Sequence, residues 1–142
     1  MSADTPKDYV LDSQIGFLLR QATQRNSQIF QRHTFDDLTT TQFSALFRLV
    51  TMGECSQNEL GRRTAMDVAT IKGVVDRLRK KGYIATREDE NDRRRTLLCI
   101  APGHEGLRER LSDLGSRVTN ETLGTLNAAD RRQLLDLLGK II

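Results

Sequence analysis

The pattern of apolar positions near the start of the chain predicts one long helix. After a polar arm, apolar residues recur at helical spacing and form a single stripe over about five turns. The stripe consists of Leu11, Ile15, Leu18, Leu19, Ala22, Ile29 and Phe30. Such a stripe gives the helix one face to bury against other parts of the protein.

Two further helices are predicted from their start signals. Thr39 lies three residues before Gln42, and Ser56 lies three residues before Glu59. Each spacing is typical of a capping box, in which a hydroxyl and a longer polar side chain satisfy backbone donors at a helix start. Gly53 stands between the two signals, where a glycine is expected just after a helix ends.

A fourth helix is predicted over residues 68–81, capped by Asp67 and closed by Gly82. Its inward face is expected to contain Ile71, Val74 or Val75, and Leu78. The opposite face is small, polar and basic, and it contains Thr70, Lys72, Gly73, Asp76 and Arg77. Together with the short capped helix before it and a turn at residues 64–66, this pattern is typical of a helix-turn-helix, whose second helix enters the major groove of DNA.

A two-stranded hairpin is predicted directly after this helix pair. Residues 83–87 and 96–100 are rich in β-forming residues, and a charged segment with sequence REDENDRRR joins them. A helix-turn-helix followed by such a hairpin forms a winged helix, and arginine at the tip can enter the minor groove. The fold class expected is therefore mainly α with a small β-hairpin wing.

Composition narrows the possible functions. The chain has 142 residues, of which 37% are hydrophobic and 29% charged, as is ordinary for one globular domain. No apolar run is long enough to cross a bilayer, and a cytoplasmic location is expected. Cys55 and Cys99 lie far apart without a CxxC motif, which indicates no disulfide framework and no metal or cofactor site.

Charge along the chain is uneven. Residues 60–95 contain eleven Lys or Arg and six Asp or Glu, a net charge of +5, although the whole chain carries +3. Clustered positive charge favours a polyanionic partner. Within the wing, Asp92 lies two residues before Arg94 and is a candidate to hold the guanidinium in one orientation. The alternative is a solvated turn whose charges screen one another.

The succession of these motifs resembles the MarR family of winged-helix regulators. The resemblance covers about residues 11 to 142 and rests on segments 56–60, 76–78 with Gly82, 92–94 and 100–103. It implies that Arg94 is the minor-groove arginine and that Asp92 orients it. Ala101 replaces the threonine usual before the proline, so His104 or Glu105 is expected to supply part of a helix cap.

The resemblance also implies a homodimer, and the apolar pattern near the C-terminus agrees with it. The expected dimerisation residues are Leu107, Leu111, Leu114, Val118, Leu134, Leu135, Leu137, Leu138 and Ile141. One domain is expected, with dimerisation helices in residues 9–35 and 102–142 and the winged helix in residues 38–101. A dimer would bind double-stranded DNA at a pseudopalindromic operator with half-sites about 10 bp apart. The expected DNA contacts are Ser56, Gln57, Asp67, Ala69, Thr70, Lys72, Gly73, Arg77, Arg93, Arg94 and Arg95.

Segments 11–20 and 64–71 are similar to the branch of this family that controls breakdown of nicotinate-like and other aromatic acids. The resemblance implies a repressor that a small aromatic carboxylate releases from DNA. A pocket for such an acid needs aromatic walls and a cation. The candidate pocket residues are Phe17, Arg20, Phe43, Phe47 and Arg48, although the three phenylalanines also fit ordinary core positions.

Other functions remain as alternatives. No sequence motif for a nucleophile, a phosphate loop or paired metal-binding histidines is present, so an enzyme is not expected. A winged helix can instead serve as a protein-interaction module, because a fold does not fix a function. A repressor of the same family that senses oxidation through Cys55 or Cys99 is the third possibility.

Overall fold

The structure is a computed structural model that describes residues 8–142. This part of the chain contains six α-helices and one two-stranded antiparallel sheet, in agreement with the predicted fold class. The elements are α1 (Ile15–His33), α2 (Thr40–Met52), α3 (Gln57–Arg63), α4 (Val68–Lys80), β1 (Ile84–Glu88), β2 (Thr96–Ile100), α5 (Leu107–Thr122) and α6 (Ala128–Gly139).

The first helix begins later than its apolar stripe predicted. Leu11–Ser13 form a separate 3₁₀ turn, and Gln14 is extended, with φ −88° and ψ 137°. The Ser13 hydroxyl and the side-chain amide of Gln14 both donate to the carbonyl of Val10, at 3.1 and 3.0 Å. These side-chain bonds favour a local turn over one continuous helix.

The two predicted capping boxes have different outcomes. At α2 the Thr39 hydroxyl accepts from the amide of Gln42 at 3.3 Å, and the Gln42 side chain accepts from the amide of Thr39 at 3.2 Å. At α3 the Ser56 hydroxyl accepts from the amide of Glu59, but the Glu59 carboxylate binds Arg62 and Arg63 instead of turning back. Because guanidinium groups are strong donors, they hold the Glu59 carboxylate, and only the Ser56 bond of the second capping box forms.

The chain divides into two compact units. One unit contains α1 together with Arg117–Ile142, and the other is Thr34–Ser116. The boundary at residue 116 lies within α5, so the first turns of that helix belong to the second unit. This second unit contains the helix-turn-helix and the hairpin.

The core of the second unit is built by the inward faces of α2, α3 and α4, by the hairpin and by the start of α5. Among its fully buried side chains are Leu38, Leu46, Leu60, Ile71, Val75, Leu78 and Leu111. Both Val74 and Val75 are buried, so the inward face of α4 is wider than three residues. The predicted amphipathic division of α4 is confirmed.

The hairpin pairs β1 with β2 in antiparallel register, from Ile84 opposite Ile100 to Glu88 opposite Thr96. The first strand begins one residue after its predicted start, because the amide of Tyr83 bonds back to the carbonyl of Leu78. Cys55 adds an isolated bridge to Leu98 and ties the α2–α3 connection to the sheet.

The side-chain cap predicted for His104 at the start of α5 is wrong. Nε2 of His104 contacts the carbonyl of Gly82 at 2.8 Å, and its ring stacks on Tyr83 with centroids 4.6 Å apart. The helix begins only at Leu107, after Gly106 has turned the chain with φ 79°. His104 therefore ties the end of α4 to the loop before α5.

In the first unit, Glu121 connects the end of α1 with α5. Its carboxylate lies 2.5 Å from Nε2 of His33 and 2.8 Å from a guanidinium nitrogen of Arg32. The His33 bond, followed by the Arg32 bond, lowers the pKa of Glu121. Large apolar side chains stay exposed on α1 and around α6, namely Ile15, Leu18, Leu19, Leu134, Leu135, Leu137 and Ile141. The prediction of dimerisation residues on α5 is wrong, because the single chain already buries Leu107, Leu111, Leu114 and Val118. In residues 8–142, no helix is both long enough and apolar enough to span a membrane.

Candidate nucleic-acid interface and adjoining crevice

A close backbone approach joins α3 to α4. Gly61 is buried, and a Cβ there would lie 3.1 Å from the carbonyl oxygen of Met66 and 3.2 Å from Cγ2 of Ile71. The same glycine's carbonyl accepts from the amide of Met66 at 2.9 Å. Ala65 supplies the turn with a left-handed conformation, φ 55°. These contacts set the direction in which α4 leaves the turn.

The first turn of α4 is held by its cap and is open to solvent. Oδ1 of Asp67 accepts from the amide of Thr70 at 2.7 Å, and this backbone hydrogen bond lowers the pKa of Asp67. Ala69 and Thr70 are exposed beside it. Because the N-terminal residues of a recognition helix contact base edges, this turn is the most direct candidate for base recognition.

The basic residues of the α4 face are organised by neighbours one turn away. Nζ of Lys72 lies 3.0 Å from the Asp76 carboxylate, and this bond lowers the pKa of Asp76. The guanidinium of Arg77 extends over Gly73, where a Cβ would lie 3.1 Å from its Nη1. A small residue at position 73 therefore leaves room for the arginine to lie along the helix.

Val68 is a residue of this face that sequence reasoning missed. Its side chain is 70% exposed at the first position of α4, although valine is usually buried. Exposed apolar side chains on a recognition helix can contact the C5-methyl group of thymine in the major groove. Sequence periodicity could not identify it, since valine fits an inward position equally well.

At the tip of the wing, short bonds around two aspartates define the loop. Oδ1 of Asp92 lies 3.1 Å from the amide of Arg94 and 3.4 Å from its Nε. The amide of Asn91 binds Oδ1 of Asp89 at 2.9 Å, and the amide of Asp89 binds the carbonyl of Arg95 at 3.0 Å. The predicted contact between Asp92 and Arg94 is present, while the side chain of Arg94 is 93% exposed.

The base of the wing has a second ion pair, which the sequence did not indicate. Nε of Arg87 on β1 binds the carboxylate of Glu54, which follows α2. Arg87 also donates to the carbonyl of Glu88 at 3.2 Å. Glu54 and Arg87 are 33 residues apart in the sequence, so only the folded chain brings them together. The pair joins the α2–α3 connection to the wing.

A crevice of about 390 Å³ opens in the same unit between α2 and the end of α3. Its lining is Phe43, Ser44, Phe47, Arg48, Arg62, Arg63, Thr64 and Ala65. Three of the predicted pocket residues, Phe43, Phe47 and Arg48, therefore meet here. Phe17 and Arg20 lie on α1, in the other compact unit.

Arg62 and Arg63 belong to the crevice but were not predicted for it. Arg63 is largely enclosed, with 22% of its side chain exposed, and its Nε donates to Glu59 at 3.2 Å. Arg62 is 69% exposed and donates to the same carboxylate at 2.6 Å. These bonds, with the Arg62 hydrogen bond as the largest cause, lower the pKa of Glu59. In the sequence, these two consecutive arginines contributed only to the positive charge of residues 60–95.

Comparison with known proteins identifies relatives over nearly the whole chain. A family model described as the MarR family matches residues 36–95. The HTH-type transcriptional repressor NicR of Pseudomonas putida is 36% identical over 140 residues, which are 98% of this chain and 87% of NicR.

Solved structures give the same result for the fold. A probable transcriptional regulator from Pseudomonas aeruginosa is 44% identical with a TM-score of 0.88, over 94% of this chain and 100% of that one. Bordetella bronchiseptica BpsR, whose DNA binding is regulated by 6-hydroxynicotinic acid, is 36% identical with a TM-score of 0.85, over 94% of this chain and 96% of that one. The chain therefore belongs to the MarR family of winged helix-turn-helix transcriptional regulators.

Proposed function

We propose that this protein is a homodimeric, sequence-specific DNA-binding repressor that a small aromatic carboxylate releases from its operator. The observation that carries the proposal is the joint exposure of the α4 face and of Arg94, which Asp92 contacts at the tip of the wing. A recognition helix and an arginine wing on one rigid unit can enter a major groove and the adjacent minor groove.

The exposed apolar residues of the first unit support the dimer. Leu135 is 56% exposed, Leu137 51% and Ile141 61%, and no residue of α6 is buried in the single chain. A second copy of the chain covers this surface in the proposed dimer. Two recognition helices then bind half-sites about 10 bp apart. The residues expected to contact DNA remain those that the sequence indicated, with Val68 added.

The lining of the crevice between α2 and α3 supports the proposed response to an aromatic carboxylate. The rings of Phe43 and Phe47 stack with centroids 5.9 Å apart, and arginine side chains stand beside them. The DNA binding of BpsR is regulated by an aromatic acid. PcaV of Streptomyces coelicolor, which is 26% identical to this chain, has been solved in complex with its natural ligand. Release from DNA then requires that the acid bind more tightly to the DNA-free form.

The alternatives have less support. A protein-interaction face on α4 would be expected to be apolar, whereas Lys72 and Arg77 are exposed on it. Oxidation sensing needs an accessible thiolate. Cys55 is buried, and burial raises the pKa of its thiol, which keeps the thiolate fraction small. Cys99 is half-buried, and its thiol donates to the carbonyl of Ala85 at 3.5 Å.

The proposal is tested by fluorescence anisotropy on the DNA upstream of the protein's own gene, over a range of salt concentrations. Wild-type protein should bind with a steep salt dependence. Arg94→Ala should weaken binding and reduce the slope of log K against log salt by about one for each wing. Arg108→Ala, which removes an exposed arginine of α5, is the control and should leave the slope unchanged. Equal slopes for all three proteins would contradict the proposed role of the wing.

A further inference from the structure

The outer part of the hairpin projects from the core of its unit. Ile84 and Leu98 are buried, whereas residues 86–88 of β1 and Thr96 of β2 are exposed. The exposed part carries Arg94, the residue proposed to enter the minor groove. Because core packing ends at Leu98, other contacts must set the direction in which the tip of the wing points.

Two backbone bonds hold the hairpin at the place where it leaves the core. The amide of Leu98 donates to the carbonyl of Cys55 at 2.7 Å, and the amide of Cys55 donates to the carbonyl of Leu98 at 3.3 Å. Gly53 directs the chain to this place, because its φ of 82° with ψ −176° is a conformation that essentially only glycine adopts. Both bonds involve one residue of β2, so they fix a point on the hairpin rather than the direction of its tip.

The ion pair of Glu54 and Arg87 is a second attachment, nearer to the tip and on the other strand. Arg87 lies opposite Leu97, one residue pair beyond Leu98. Within residues 8–142, the hydrogen bond from segment 86–97 to a residue outside the hairpin is the one from Arg87 to Glu54. Glu54 directly precedes Cys55, so one short segment holds β2 through its backbone and β1 through a carboxylate. Attachment of both strands restricts rotation of the hairpin about the Cys55 bonds.

We propose that the ion pair of Glu54 and Arg87 positions the wing, so that Arg94 meets the minor groove while the recognition helix lies in the major groove. This inference rests on the proposed function and adds to it the residues that direct the wing. Asp92 contacts Arg94 within the loop, and the side chain of Arg94 is 93% exposed. Glu54 and Arg87 direct the loop as a whole, and neither of them contacts DNA.

The exposure of the pair limits the size of its effect. The side chains of Arg87 and Glu54 are 45% and 40% exposed, and a surface pair of this kind changes an equilibrium by at most about fivefold. Loss of the pair therefore reduces the aligned fraction of each wing by at most about fivefold, which is about 25-fold for the two wings of a dimer. The fold should persist, because the core and the Cys55 bonds remain.

The first measurement is fluorescence anisotropy of Glu54→Gln on the DNA upstream of the protein's own gene, at fixed salt. We expect binding that is about 3- to 25-fold weaker than that of the wild type. The direction is informative, because the variant lacks a negative charge and general electrostatics alone would tighten its binding to DNA. Glu90→Gln removes an exposed carboxylate from the wing tip and is the control, which should not weaken binding.

A double-mutant cycle with Arg94→Ala shows whether the pair acts through Arg94. When Arg94 is absent, the direction of the wing has little left to contribute. Glu54→Gln should then weaken the binding of the Arg94→Ala protein by less than about twofold, and Arg87→Gln should behave in the same way. If Glu54→Gln has its full effect in both backgrounds, the pair acts elsewhere and the proposal is overturned. If Arg87→Gln weakens binding further without Arg94, Arg87 contacts DNA itself and the proposal is also wrong.

Thermal unfolding separates a loss of wing direction from a loss of fold. The Tm of Glu54→Gln should lie within about 4 °C of the wild type. A larger decrease would mean that the pair holds the fold rather than the direction of the wing, which overturns the proposal. If Arg94→Ala weakens DNA binding and Glu54→Gln does not, this inference is wrong while the proposed role of the wing stands. If neither variant weakens binding, the proposed role of Arg94 is wrong as well.

Discussion

Lys81 offers a direct test of how the recognition helix is held. This residue follows α4, and its ammonium group donates three hydrogen bonds, two to the segment before α2 and one to the first turn of α2. The acceptors are the carbonyls of Asp36 and Asp37, at 3.0 and 2.8 Å, and Oε1 of the buried Gln42, at 2.9 Å. Asp36 and Asp37 both have left-handed backbone conformations, with φ 51° and 52°. Lys81 therefore stabilises a turn that few residues adopt without support.

Replacement of Lys81 by methionine keeps most of the side-chain length and removes all three bonds. A hydrogen bond to a charged group contributes about 1.5 to 3 kcal/mol, but two of the acceptors are exposed and return to water. Gln42 keeps its second bond, from the amide of Thr39. We therefore expect Lys81→Met to reduce the free energy of unfolding by about 2 kcal/mol in total.

The assay is thermal unfolding followed by circular dichroism, at one protein concentration because dimerisation adds to stability. A loss of this size should lower Tm by about 6 °C for a chain of this length. Lys80→Met removes the adjacent exposed lysine at the end of α4 and should change the free energy of unfolding by less than about 0.5 kcal/mol. If the two variants unfold at the same temperature, the three bonds of Lys81 do not stabilise the protein and the reasoning is refuted.

Two further predictions concern Tyr83 and Val68. Burial, followed by the hydrogen bond to Asp36, raises the pKa of Tyr83 from 10.0 to about 12, so the folded state favours the neutral phenol. This stabilisation is present below pH 10 and is lost as the pH rises towards 12. The free energy of unfolding should fall by about 3 kcal/mol over this range, and Tyr83→Phe should abolish this pH dependence. Tyrosinate absorbance in a Tyr9→Phe background reports the ionisation, and ionisation near pH 10 would contradict the assignment. Val68→Ala removes both γ-methyl groups; with one of them buried against the base, the change should weaken operator binding about fourfold, the value of one buried methyl group. Replacing the thymine that faces Val68 by deoxyuridine should weaken wild-type binding by the same factor and leave the binding of Val68→Ala unchanged. A loss of affinity in both proteins would exclude the contact.

Local signals in the sequence predicted the elements of the DNA-binding unit well. Thr39, Ser56 and Asp67 each cap the helix that was expected, because a cap depends on residues within one turn. The apolar face of α4 also follows from periodicity, since it contains the residues that the core must bury. Two predicted caps were wrong because other polar groups compete for the same side chains. Glu59 binds arginines rather than the backbone amide of Ser56, and His104 binds the carbonyl of Gly82 rather than the start of α5.

The candidate pocket shows where sequence reasoning stops. Phe43 and Phe47 were predicted because a pocket for an aromatic acid needs aromatic walls, and they do line the crevice. Arg63 was missed, although its largely enclosed side chain lines the same crevice. In the sequence it is one of two consecutive arginines, and only the packing of α3 against α2 makes one of them enclosed and leaves Arg62 exposed.

The sequence by itself determined the order of helices and strands, the face of α4 that meets the core and the contact between Asp92 and Arg94. Each of these depends on residues a few positions apart, so hydrogen bonding and burial along one element decide them. The tertiary structure alone decided which arginine of the crevice is enclosed, how Glu54 joins the wing through Arg87 and how Lys81 holds the turn before α2. These features join residues from distant parts of the chain, and their geometry exists only after the hydrophobic core has packed.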